Sequence, residues 1–180
     1  RRPEDKVVAL AGNPNVGKST IFNALTGMRQ HTGNWPGKTV ANAQGYYSSQ
    51  AHSYVLVDIP GAYSLLAHSA EEEVARDFLC FGQADAVVVV CNAACLERNL
   101  NLVLQTLEIT GRVVVCVNLL DEAASRGLKL DLPRLSQLLG VPVVGTIASK
   151  PQTLEALKQA VDEVAAADER LPLQLPYPEE

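Results

Sequence analysis

The sequence predicts an α/β fold, a mostly parallel sheet of six strands with helices on both faces. Three observations carry that expectation. Short continuous apolar runs, such as Ala86 to Cys91 and Val113 to Val117, have the length and composition of strands buried on both faces. Amphipathic stretches of helical period stand between them, so strand and helix alternate. Finally, Gly12 to Thr20 reads Gly-Asn-Pro-Asn-Val-Gly-Lys-Ser-Thr, a glycine-rich turn set between an apolar run and a helical one.

Taken in order, Val7 to Leu10 is the first strand, and Ile21 to Leu25 belong to the helix that follows the turn, with Gly27 at its stop. Residues 29 to 40 hold two glycines, a proline and many polar groups, which predicts a mobile surface loop. Trp35, the only tryptophan, needs a reason to be there: packing on the body or covering a bound ligand. Val40 to Tyr47 and His52 to Val57 form two strands around the turn Ser48-Ser49-Gln50. Ser69-Ala70-Glu71-Glu72 is a capping box opening a helix with Val74 and Phe78 inward. After the strand at 86–91, Leu96, Leu100, Val103, Leu104 and Leu107 mark a helix stopped by Gly111. Beyond the strand at 113–117, Asp131 caps a helix carrying Leu132, Leu135, Leu138 and Leu139, closed by Gly140. Val141 to Ile147 is the sixth strand, and Thr153 caps a last helix with Leu154, Leu157, Val161 and Val164.

Composition narrows the function. At 180 residues with a net charge of −5, the chain is one domain with a sizeable core and no basic stripe for nucleic acid. No apolar run reaches the roughly 18 residues of a spanning helix. The only methionine is Met28, and prolines crowd the tail after Leu171. We therefore expect a fragment, with a domain at 1–167 and a proline-rich linker at 168–180. The four cysteines form no C-x-x-C pair, so reduced thiols are expected, with a Cys91/Cys95 metal site as the alternative.

The turn at Gly12 to Thr20 matches G-x-x-x-x-G-K-[ST], a phosphate-binding loop. Backbone N–H groups of such a loop face an anion, and the next helix adds its positive end. Lys18 reaches the β- and γ-phosphates, and the Ser19 hydroxyl ligates Mg²⁺. Asp58-Ile-Pro-Gly61 ends a strand about forty residues later, so Asp58 can hold Mg²⁺ through water and the Gly61 N–H can meet a γ-phosphate. Asn118-Leu-Leu-Asp121 ends another strand. There a carboxylate can accept two hydrogen bonds from guanine, or Asn and Asp can simply cap a helix. All these motifs sit at carboxyl ends of strands, where open α/β sheets bind ligands.

Together with Thr39, these motifs resemble the small-GTPase superfamily in order and spacing. Gly33-Asn-Trp-Pro-Gly, Asp58-Ile-Pro-Gly-Ala-Tyr-Ser-Leu, Leu96-Glu-Arg-Asn-Leu and Asn118-Leu-Leu-Asp-Glu-Ala are similar to the cytosolic G domain of the FeoB family of bacterial ferrous-iron transporters. The resemblance implies a small-GTPase-like P-loop fold that binds GTP and GDP through Gly12, Asn13, Pro14, Asn15, Val16, Gly17, Lys18, Ser19 and Thr20. It implies Mg²⁺ on Ser19, Thr39 and Asp58, guanine read by Asn118 and Asp121, and a backbone contact to the base at Ala148. Asn15 resembles the residue that marks K⁺-activated GTPases, with carbonyls of Gly33 to Trp35 as further ligands. Lys18, Asn15, Thr39 and Gly61 would carry catalysis. Ala62 stands where Ras-type enzymes have a glutamine, so turnover should be slow. Asn92, Leu119 and Ile147 depart from the usual Asp, Lys and Ser. The implied partner is a membrane permease of the same polypeptide at the cytoplasmic face of the inner membrane, without nucleic acid and with self-association left open. The competing readings are a cytosolic GTPase of RNA modification or ribosome assembly, and a non-hydrolysing nucleotide sensor.

Overall fold

The computed structural model describes residues 5–28, 30–66 and 68–167, so the expected linker at 168–180 lies outside the described residues. The elements run β1 (Lys6–Gly12), α1 (Lys18–Thr26), β2 (Gln30–Asn34), β3 (Ala41–Ser48), β4 (Ser53–Asp58), α2 (Ala70–Phe81) and β5 (Ala86–Asn92). After a 3₁₀ turn at Ala93–Cys95 come α3 (Leu96–Ile109), β6 (Val113–Asn118), α4 (Leu120–Ser125), α5 (Leu132–Leu139), β7 (Val143–Gly145) and α6 (Pro151–Ala166).

One sheet of seven strands is ordered β2-β3-β4-β1-β5-β6-β7. β4, β1, β5, β6 and β7 are parallel, and β3 runs antiparallel to both β2 and β4. Successive side chains of the valine runs alternate between two cores. Val8, Leu10, Val88, Val90, Val114 and Cys116 meet Ile21, Phe22 and Leu25 of α1 and Leu157, Val161 and Val164 of α6. Ala9, Ala11, Val87, Val89, Val115 and Val117 meet Leu102, Val103 and Leu107 of α3 on the other face. With both faces covered, nothing selects for alternating polarity, which is why these strands read as unbroken apolar runs.

The α/β class stands, with differences in detail. The seventh strand is β2, inside the segment expected to be a loop. It is exposed throughout and carries no apolar side chain, so its hydrogen bonds to β3 define it and no hydrophobic pattern announces it. β7 spans only Val143–Gly145, shorter than the expected 141–147. The last helix starts at Pro151 behind Lys150, so Thr153 is not its cap. Instead Thr153 Oγ1 accepts the Ile147 N–H at 3.1 Å and lies 2.8 Å from the Lys150 carbonyl, pinning the loop between them. α3 ends at Ile109 because Thr110 is already extended, before Gly111 is reached. Of the leucines that α5 carries, Leu138 is 68% exposed. The Ser69 cap holds: its hydroxyl accepts the Glu72 N–H at 3.1 Å.

Candidate functional site

The carboxyl end of β1 turns sharply into α1. A Cβ on Gly12 would stand 2.8 Å from the Val90 carbonyl, so the close approach of β5 requires glycine there. Asn15 (φ 65°) and Gly17 (φ 80°) are both left-handed and flank Val16, whose side chain is buried. Left-handed residues at alternate positions turn backbone N–H groups into one concavity, the geometry that accepts an anion. α1 has neither a side-chain cap nor an acidic residue in its first turn. Its leading N–H groups and positive end thus face the same concavity. Asn13 is buried, with its amide oxygen unpaired among the described residues, whereas Pro14, Asn15, Ser19 and Thr20 are exposed.

The chain leaving β4 lies against this turn. Ile59 N–H donates to the Leu10 carbonyl (3.0 Å) and Ala62 N–H to the Gly12 carbonyl (3.1 Å). Lys18 pairs with the Asp58 carboxylate and donates to the Ile59 carbonyl at 2.8 Å. Gly61 abuts Pro14, where an added Cβ would find ordinary contact at 3.4 Å, so packing here does not demand glycine. The Ala62 methyl is buried in the core on the α3 side and does not line the cleft. Lys18, Asp58 and Gly61 share a cleft of about 360 Å³ with Thr39 and with Thr32, Gly33 and Asn42 of the hairpin. The tertiary fold therefore brings together Lys18 of the phosphate loop, Thr39, and Asp58 and Gly61 of the second motif. Trp35 packs on the body: its ring meets Phe78 edge-on at 5.6 Å, beside Val7, Val55 and Val57.

Asn118 ends β6 wholly buried. Its Nδ2 donates to the Val16 carbonyl at 3.1 Å, and its Oδ1 accepts from Thr146 Oγ1 at 3.0 Å. A carbonyl can only accept, so the group facing Val16 is the amide nitrogen and the oxygen faces Thr146. The single Thr146 proton is then used, and the Cys116 thiol, 3.2 Å away, donates to Thr146 Oγ1. Burial pushes that thiol up to about 12, and Cys91 likewise, which keeps both protonated. All four cysteines are free. Among the described residues no group of three or more His, Cys, Asp or Glu is placed to hold a metal ion.

Leu119 is left-handed (φ 63°) and turns the chain into α4, placing Asp121 exposed in its first turn. Ala148 sits half-buried in the loop that Thr153 pins. Thr146 escaped the sequence reading, and Asn99 stood there only within a motif, without a role. Thr146 is a polar residue closing a short apolar run, and that position was its only signal. Asn99, from Leu96-Glu-Arg-Asn-Leu, accepts the Asn92 N–H at 2.7 Å and so braces the end of β5.

Sheet order, phosphate loop and the motifs at the strand ends define a P-loop nucleotide-binding domain of the small-GTPase type. A family model described as Ferrous iron transport protein B matches residues 6–161, and the chain belongs to that family. It is 42% identical over 163 residues to the Fe(2+) transporter FeoB of Escherichia coli K12, covering 88% of this chain and 21% of that protein. The chain thus spans about a fifth of the length of such relatives. It is similar to the crystal structure of the G domain of the T. maritima FeoB iron transporter, with TM-score 0.84 and 42% identity, covering 89% of this chain and 98% of that one. The cytosolic domain of the same transporter in its GMPPNP form gives TM-score 0.92 and 40% identity, over 97% of this chain and 69% of that one. No helix among the described residues is long and apolar enough to cross a membrane.

Proposed function

We propose that this domain binds GTP and GDP, hydrolyses GTP slowly, and through that cycle regulates or powers Fe²⁺ uptake by a membrane permease of the same polypeptide. On this reading it works at the cytoplasmic face of the bacterial inner membrane, with residues 168–180 leading towards the permease. The observation that carries the reading is the Asn118 amide, which ties the phosphate loop to the Thr146 loop. That bridge holds a base-recognising strand end at a set distance from the phosphate-binding N–H groups. The GDP and GMPPNP forms of the T. maritima cytosolic domain support the same ligand class.

In this reading the N–H groups from Gly12 to Thr20 bind the phosphates, and Lys18 exchanges Asp58 for the β- and γ-phosphate oxygens. Asp121 accepts from the guanine ring N–H and amine, and the Ala148 N–H meets the base oxygen. Ser19, Thr39 and Asp58 offer only oxygen donors, which suits a hard cation such as Mg²⁺. That ion supplies neutralisation of phosphate charge. Asn15, left-handed and exposed at the loop's rim, would offer an amide oxygen to K⁺, with backbone carbonyls of Gly33 to Trp35 as further ligands. With the residue-62 methyl in the core, no side chain there orients water, so catalysis rests on positioning and charge.

The test is nucleotide titration followed by turnover. GTP and GDP should bind and ATP should not compete on equal terms, and Asp121→Asn should turn the preference towards xanthine nucleotides. Hydrolysis should run faster in KCl than in NaCl at equal ionic strength, and Asn15→Ala should remove the difference while sparing GDP binding. Equal competition by ATP would sink the guanine reading, and equal rates in the two salts would sink the K⁺ reading.

A further inference from the structure

Thr39 is exposed and the hydrogen bonds of its turn are made by its neighbours. The turn is closed from both sides: the Trp35 N–H donates to the Val40 carbonyl at 2.8 Å, and the Lys38 N–H to the Trp35 carbonyl at 3.0 Å. Gly37 (φ 72°) supplies the left-handed residue that so tight a return needs. Val40, one position after Thr39, is buried at 5% exposure. Lys38, one position before it, lies 2.9 Å from the Glu73 carboxylate of α2. Trp35 meets Phe78 of the same helix edge-on at 5.6 Å. The turn is therefore fastened to α2 by one apolar and one ionic contact, on either side of the glycine. α2 is also the first helix after Asp58–Gly61, so the two segments that line the cleft share one platform.

We infer that Trp35 and Lys38 are positioning residues that, clamped on Phe78 and Glu73, hold Thr39 at the cleft in the geometry that recognises a γ-phosphate. This rests on the proposed role of Thr39, and it adds that α2 sets the position of Thr39 before the nucleotide arrives. A hydroxyl already in place binds without a further cost of ordering its loop. The clamp should then favour triphosphate over diphosphate, because only the triphosphate reaches Thr39.

The experiment measures affinity for GDP and for a non-hydrolysable GTP analogue, with emission from Trp35, the only tryptophan of the chain. Phe78→Ala should shift that emission to the red and weaken the analogue by between about twofold and about tenfold, leaving GDP unchanged. Phe78→Leu, which keeps bulk, should fall between. Lys38→Glu should weaken the analogue by about two- to fivefold, and Lys38→Glu with Glu73→Lys should restore it, a rescue that loss of fold could not produce. Unshifted emission in Phe78→Ala, equal loss for both nucleotides, or failure of the charge swap to rescue would each overturn the clamp. Thr39→Ala separates the two levels. If it leaves the analogue untouched, the role of Thr39 is wrong and the clamp falls with it. If it weakens the analogue and Phe78→Ala does not, only the clamp is wrong.

Discussion

β5–β6 and β2–β3 are two strand pairs of one sheet, yet they are held in opposite ways. β6, Val113–Asn118, is buried at every position, whereas β2, Gln30–Asn34, is exposed at every position. Both pairs have main-chain ladders. The difference lies in what covers their faces: helices on both sides of the first pair, and nothing that buries a side chain of β2. The consequence is functional. Asn118, proposed to recognise a base, ends a strand whose every side chain is packed, while Thr39, proposed to sense the γ-phosphate, follows a strand that can leave at little cost in buried surface. The base site is thus held by buried packing, and the γ-phosphate sensor by the two contacts of its turn with α2.

The largest break in this contrast should come at the junction of loop and buried strand. A Cβ on Gly17 would stand 2.4 Å from Asn118 Nδ2, at a φ of +80°. Gly17→Ala should therefore both strain the turn and dislodge Asn118, lowering affinity for GTP and GDP alike by on the order of 100-fold or more. Calorimetric titration of the folded variant measures it, and a loss confined to GTP would contradict the rigidity argued for this end.

Next comes packing. Val88 is 1% exposed on β5, an interior strand covered by helices, so Val88→Ala should cost about 2–3 kcal/mol in urea unfolding. The smallest effect belongs to the other pair: Gln30→Ala on the exposed β2 should stay within about 0.5 kcal/mol. Similar losses for the two would mean that β2 is buried more than its side chains suggest.

Between these in size lies a pH effect. The Cys91 and Cys116 thiols are raised from 9.0 to about 12 by burial. Unfolding lets them ionise, so their contribution is complete below pH 9.0 and is lost as pH rises towards about 12. At pH 10 each should have forfeited on the order of 1 kcal/mol. Melting temperature should fall from pH 8 to pH 10, and Cys116→Val should flatten the fall. Tyr47 and Tyr54, also raised by burial, add a loss of the same sign at still higher pH.

How much was legible follows the same division. The buried strands were read almost to the residue, since Ala86 to Cys91 and Val113 to Val117 carry an apolar signal wherever they are met. β2 was missed because it has no apolar side chain to report it. The loops around the site were legible as motifs, since close approach to phosphate needs glycine at Gly12 and Gly17. Thr153 misled because a threonine three residues past a loop can serve either a helix start or the loop itself.

What the chain determined by itself was the alternation of buried strands and amphipathic helices, the phosphate loop, and the placing of Asp58, Asn118 and Asp121 at or just beyond strand ends. These depend on periodicity and on backbone angles, which neighbours in sequence set. Only the tertiary structure decided that Lys18 faces Asp58, that Thr146 and Cys116 stand behind Asn118, and that Trp35 and Lys38 rest on α2. Those contacts join residues far apart in sequence. Their partners are selected by the order in which the strands lie side by side, and local periodicity carries no record of that order.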